Sequence, residues 1–205
     1  MSLSVQKKIE AKLDNAAKGS MFFIADFSEF GTDVAIRQSL QRLCKKDVII
    51  RLAKGIYYYP KSDELFGIIK PSAEIIAESI AKRDKARILP TGSYALYKLG
   101  LSTQIPMNVV YLTDGSPRKI QVGNQKIAFR KTSPKNLAVN HRLTALIIQG
   151  LKELGEGNID STQLANLAEI INQANENTQI KENIRYAPVW IQKIVLKILE
   201  EMEND

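Results

Sequence analysis

The sequence predicts an α+β fold in three parts. Residues 1–62 read as a winged helix-turn-helix, residues 63–140 as a small α/β domain with a mixed sheet, and residues 141–205 as a helical C-terminal region packed on the second domain. Three observations predict it. Thr32–Pro60 is a capped amphipathic helix followed by two β-rich runs joined by a short basic turn. The stretch from Met107 to Lys131 holds three β-rich runs. From His141 onward the apolar residues recur at helical spacing.

The elements follow in order. Residues 4–18 predict a helix with Ser4 as N-cap, Val5, Ile9, Leu13, Ala16 and Ala17 near one face, and Gly19 as its end. Met21–Ile24 predicts the start of a strand. Ala25–Phe30 predicts a brief helix capped by Asp26 with Phe27 and Phe30 inward, and Gly31 the turn after it. Thr32 or Asp33 then caps a helix that runs to about Lys46. Ile36, Leu40 and Leu43 stand at i, i+4 and i+7 on its core face.

Val48–Leu52 and Gly55–Tyr59 predict two strands around Ala53-Lys54-Gly55. Alternation along Tyr57-Tyr58-Tyr59 turns one or two rings inward and the others out. Pro60–Glu64 is polar and turn-forming and predicts the domain boundary, and Leu65–Lys70 predicts an apolar link.

Ser72 caps a helix whose buried stripe is Ile75, Ile76, Ser79 and Ile80, with Glu74 in its first turn. Ile88–Gly92 predicts a short strand and a turn, Ser93–Leu99 a compact helix stopped by Gly100, and Met107–Thr113 a buried strand. Asp114–Pro117 is a turn. Arg118–Val122 and Gln125–Lys131 alternate around Gly123-Asn124, a hairpin signal. Helices then fall at about 141–154, after Asp160-Ser161, and at Pro188–Glu201. The polar run Asn172–Asn183 predicts an exposed loop or ragged helix end.

Composition bounds the function. Hydrophobic content is 44% and charged content 25%, ordinary for a chain with a real core. No apolar run is long enough to span a bilayer and the first residues lack a signal-peptide core, so the expected compartment is the cytoplasm, with no membrane partner. The single Cys44 fits a reducing compartment and reads as plain core. Net charge is +7, but unevenly spread: residues 1–60 hold 10 basic and 6 acidic side chains, residues 61–140 hold 13 and 6, and residues 141–205 hold 6 and 10. A basic front suggests a polyanion.

The outer face of the Asp33–Lys46 helix presents Asp33, Val34, Arg37, Gln38, Gln41, Arg42 and Lys45. Arg and Gln carry the paired donors and acceptors that match guanine and adenine edges, so Arg37, Gln38 and Gln41 are the candidate base readers. Lys46, Arg51 and Lys54 suit phosphates. The alternative is a solvated face. A second basic strip, Arg118, Lys119, Lys126 and Arg130 with Gln121 beside them, falls on the later hairpin and could meet DNA or a protein partner.

Candidates for catalysis are few. One His and one Cys give no zinc spacing, and no Gly-rich phosphate loop occurs. His141 reads as a surface or cap residue. A Gly-Ser pair such as Gly92-Ser93 also opens nucleotidyltransferase loops, which need two metal-holding carboxylates on a following strand. Asp114 stands alone there, so Gly92-Ser93 reads as a helix cap. The expectation is no enzyme, no metal and no cofactor.

The run FFIADFSEFGTDVAIRQSLQRLCKKDVIIRLAKGIYYYP resembles the N-terminal domain of AbiEi-like antitoxins of bacterial type IV abortive-infection toxin–antitoxin systems. The resemblance lies in the order of parts: Ala25-Asp26-Phe27, an Arg within the helix, Arg42-Leu43, then Arg51–Tyr57 and Pro60. PTGSYALYKLGLSTQIPMNVVYLTDG is similar to the second domain of a branch of such proteins, and the likeness covers about residues 20–140. It implies a transcriptional autoregulator that binds operator repeats in double-stranded DNA upstream of its own operon. It also implies a second domain needed to neutralise a nucleotidyltransferase-type toxin encoded alongside. The alternative is a protein-interaction module whose winged helix binds protein rather than DNA.

Overall fold

A computed structural model describes residues 3–204. The fold is α+β with mixed sheets and a helical C-terminus. It divides into two compact units rather than three segments. One reaches from the described N-terminus to Ser79 and includes Gln121–Gly123, and the other comprises Ile80–Ile120 with residues 124 onward. The expected boundary at residue 62 therefore lies inside the first unit.

The first unit opens on α1 (Val5–Asp14), where the Ser4 hydroxyl accepts from Lys7 N. The helix ends at Asp14, not at Gly19, and Ile9 and Leu13 are its buried residues. Strand β1 (Met21–Phe23) runs into a 3₁₀ helix (Ile24–Phe30). Asp26 does not stand at its N-cap as expected. It is in the first turn and reaches back to accept from Phe23 N at 2.7 Å. Gly31 follows because a Cβ there would come within 2.7 Å of Val5 Cγ2.

Helix α2 (Asp33–Lys45) starts with the Thr32 hydroxyl accepting from Ala35 N at 3.3 Å. It ends where Asp47 takes a left-handed φ of 55° and turns the chain sharply. Strands β2 (Ile50–Ala53) and β3 (Ile56–Tyr58) form a hairpin with Ala53 opposite Ile56, so the turn is Lys54-Gly55, with Gly55 at φ 76°. The sheet order is β1–β3–β2, all antiparallel. Ile9, Leu13, Phe22, Phe27, Ile36, Leu40, Leu43, Ile49, Tyr57 and Tyr59 make one core, with Cys44 packed at its margin. Burying each such side chain is worth about 1.5–3 kcal/mol.

All three tyrosines are buried, against the expectation that alternation would expose at least one. Tyr57 and Tyr59 join the helical core, while the Tyr58 hydroxyl donates to Ile69 O at 2.8 Å. Pro60–Lys70 is neither a boundary nor a link. It forms a second hairpin, β4 (Lys61–Asp63) with β5 (Gly67–Ile69).

Helix α3 (Ala73–Asp84) buries Ala73, Ile76, Ala77, Ile80 and Ala81, while Ile75 is exposed. Ile76 and Ile80 keep their expected places, but alanines supply the other three buried positions in place of Ile75 and Ser79. In the second unit, β6 (Ile88–Thr91) includes Pro90, which an edge strand tolerates. Helix α4 (Ser93–Leu99) ends at Gly100 in the left-handed region. Strands β7 (Asn108–Thr113), β8 (Arg118–Val122) and β9 (Gln125–Lys131) complete a sheet of order β6–β7–β9–β8, with β7 and β9 parallel and β6 and β7 antiparallel.

A short 3₁₀ turn (Pro134–Leu137) precedes α5 (Arg142–Leu154), α6 (Ser161–Ala174), α7 (Asn177–Ile184) and α8 (Val189–Asn204). Leu99 of α4 shares their core. Helix α7 lies where a loop was expected. Ile180 and Ile184, four residues apart, are its fully buried stripe. Val189, at the start of α8, is exposed. Among the described residues no helix is long and apolar enough to cross a membrane.

Candidate nucleic-acid interface

The α2 face is built by elimination of its other side. Ile36, Ser39, Leu40 and Leu43 are buried, which fixes the rotation of the helix. The opposite side must then present Asp33, Val34, Arg37, Gln38, Gln41, Arg42, Lys45 and Lys46, and all eight are exposed. Arg51 on β2 and Lys54 in the hairpin turn are exposed too.

Within this face the residues differ. Arg37 Nε lies 2.8 Å from Asp33 Oδ2, one helical turn earlier. Asp33 holds the guanidinium above its ordinary pKa, chiefly through that hydrogen bond. The pair aligns Arg37 along the first two turns. Val34 stands beside it, 65% exposed, an apolar contact of the kind a thymine methyl accepts. Gln38, Arg42 and Lys46 lie one turn apart along the border of the face. They line an open groove of about 460 Å³ whose other wall is the start of α1, with Gln6, Lys7 and Glu10. Lys7 is a further cation on this border, brought there only by the packing of α1 on α2. Cys44 turns away from this face. Burial pushes its thiol above the usual range, with Arg51 opposing.

The second strip holds together only in part. Lys119, Gln121, Lys126 and Arg130 are exposed. Arg118 does not belong with them. It is ion-paired with Asp84 and lies 6.0 Å over the Phe129 ring, because β8 alternates and puts Arg118, Ile120 and Val122 on the other side. Asp84 is held below the usual carboxylate range by Arg83 first, with Arg118 contributing.

The remaining candidates are structural in their contacts. Asp114 accepts from Arg87 N and Arg87 Nε, both at 2.8 Å, and these bonds hold it below its ordinary pKa. Gly92 occupies the N-cap of α4 at φ 67°, a conformation that favours glycine, and Ser93 opens the helix. His141 is the N-cap of α5. Its ring nitrogens lie 2.7 Å from Thr144 Oγ1 and 3.0 Å from Glu176 Oε2. Among the described residues no group of three or more His, Cys, Asp or Glu is placed to hold a metal ion.

A family described as a family of unknown function (DUF6088) matches residues 8–180, and the chain belongs to it. No curated protein matches the chain.

Proposed function

We propose that this DUF6088 member is a DNA-binding transcriptional autoregulator of the AbiEi-like antitoxin type, its first unit a winged helix-turn-helix. On this reading the 3₁₀ helix and α2 are the helix-turn-helix, α2 is the recognition helix, and the β2–β3 turn with Lys54 is the wing. The observation that carries it is the exposed helix face bearing Arg37, Gln38, Gln41, Arg42, Lys45 and Lys46, followed after β2 by a two-residue hairpin turn that carries Lys54. Arg37, Gln38 and Gln41 read base edges, with Val34 against a thymine methyl. Arg42, Lys45, Lys46, Arg51 and Lys54 bind phosphates and set the register. Lys7 joins them from α1.

The second unit contacts a nucleotidyltransferase-type toxin in the cytoplasm through the Lys119, Lys126 and Arg130 strip. The protein has no catalytic role of its own. The test is fluorescence anisotropy on duplexes from upstream of its own coding sequence, at two salt concentrations. The reading requires binding that falls steeply with salt and distinguishes these duplexes from scrambled ones. Absence of DNA binding, together with co-purification of the neighbouring gene product, would instead make the winged helix a protein-docking module.

A further inference from the structure

The β4–β5 hairpin takes no part in the DNA reading. Every residue from Lys61 to Lys70 is exposed. Leu65 is 88% and Phe66 83% exposed at its tip, with Ile68 and Ile69 following on β5. Clustered apolar exposure of this kind marks an interaction surface, and a two-stranded hairpin is marginal alone. The turn is nonetheless well built. Asp63 Oδ1 accepts from Leu65 N at 2.9 Å and Phe66 N at 3.2 Å. Strand β5 is tied down where Ile69 O accepts from Tyr58. Among the described residues β4 pairs with β5 alone, so its other edge offers backbone donors and acceptors to a further strand.

The charge order along β4 selects the partner. Lys61 and Asp63 flank Ser62 and share one face of the strand. Two β4 strands running antiparallel about a two-fold axis at Ser62 put Lys61 of each opposite Asp63 of the other. Opposite charges directly across an antiparallel pair attract, and like charges there repel. The same axis carries each Leu65-Phe66 tip toward the base of the other hairpin, removing apolar surface from water. A nucleic acid fits worse, because Asp63 and Glu64 at the tip repel phosphates. We propose that β4 pairs with β4 of a second copy of this chain, joining two hairpins into a four-stranded antiparallel sheet. This is a self-complementary, isologous interface, and it stands whether or not α2 binds DNA.

Sedimentation equilibrium on the full chain tests it, with three variants. The wild type is expected to be a reversible dimer. Lys61→Glu places Glu opposite Asp63, and Asp63→Lys places Lys opposite Lys61, so each is expected to weaken its own dimer about tenfold or more. An equimolar mixture of the two restores opposite pairs at both positions and is expected to recover dimer. That recovery separates loss of the pairing from loss of the Asp63 turn. Phe66→Ser, which keeps every charge, is expected to weaken the dimer as well. A monomeric wild type, unchanged association of the charge variants, or a mixture that stays monomeric would each overturn the proposal.

Discussion

The outer face of α2 and the outer face of β8–β9 both concentrate basic side chains in a short run, yet the fold treats them differently. On α2 the four cations lie along a single exposed rod. A helix of that diameter fits the major groove. On β8–β9 the cations sit on a hairpin that is not free, since β9 also pairs with β7. A ribbon built into a four-stranded sheet cannot enter a groove as a two-stranded one does. One of its four basic residues, Arg118, is turned inward onto Asp84 and Phe129. The comparison teaches that a basic run acquires its possible partners from the element that displays it: a free helix has the shape of a groove reader, and a sheet face that of a flat docking surface.

The largest expected effect comes from removing what orients the rod. Leu40→Ala leaves a cavity beneath α2 and is expected to cost about 2–5 kcal/mol of stability by urea unfolding, while Arg37→Ala on the exposed side stays within about 0.5 kcal/mol. If both variants unfold alike, the α2 orientation is wrong. Next, Arg37→Ala is expected to weaken upstream-duplex binding by about 1–3 kcal/mol and to relax base preference, whereas Lys54→Ala weakens all duplexes evenly and lowers the salt slope by about 1. Replacing Lys119, Lys126 and Arg130 together is expected to leave base preference unchanged and to reduce capture of the protein partner in pull-downs. A lost base preference would merge the two faces into one.

The smallest effect separates Arg118 from its neighbour. Asp84 is ionised to lower pH in the folded chain than in the unfolded one. Its contribution is fully present above the ordinary carboxylate pKa and is lost as pH falls through the depressed folded value. Arg118→Ala is therefore expected to remove up to about 1 kcal/mol at neutral pH and to flatten the acid limb of stability, with Lys119→Ala doing neither. Equal acid limbs for the two would return Arg118 to the exposed strip.

Much of this was legible in the sequence for identifiable reasons. Ile36, Leu40 and Leu43 fix α2 because a strict helical stripe leaves one rotation. Gly123-Asn124 between alternating runs yields the β8–β9 hairpin. The inward turn of Arg118 departs from the strip expected, which grouped it with Lys119, although β8 alternation puts the two on opposite faces. The β4–β5 hairpin was not legible, because Lys61–Lys70 lacks alternation and its apolar residues are exposed. Helix α7 hid behind a polar composition in which only Ile180 and Ile184 face the core. The acceptor of the Tyr58 hydroxyl, Ile69 O, lies on that unforeseen hairpin. Lys7 joins the α2 border only through tertiary packing, which no local pattern encodes.

The central claim is that the α2 face reads DNA. Anisotropy titration of a duplex from upstream of the chain's own coding sequence, compared with a scrambled duplex, for wild type and Arg37→Ala at two salt concentrations, tests it most directly. The wild type is expected to prefer the upstream duplex, and Arg37→Ala to lose that preference while keeping a residual affinity that still falls with salt. Equal binding of both duplexes by both proteins, or no binding at low salt, would contradict it.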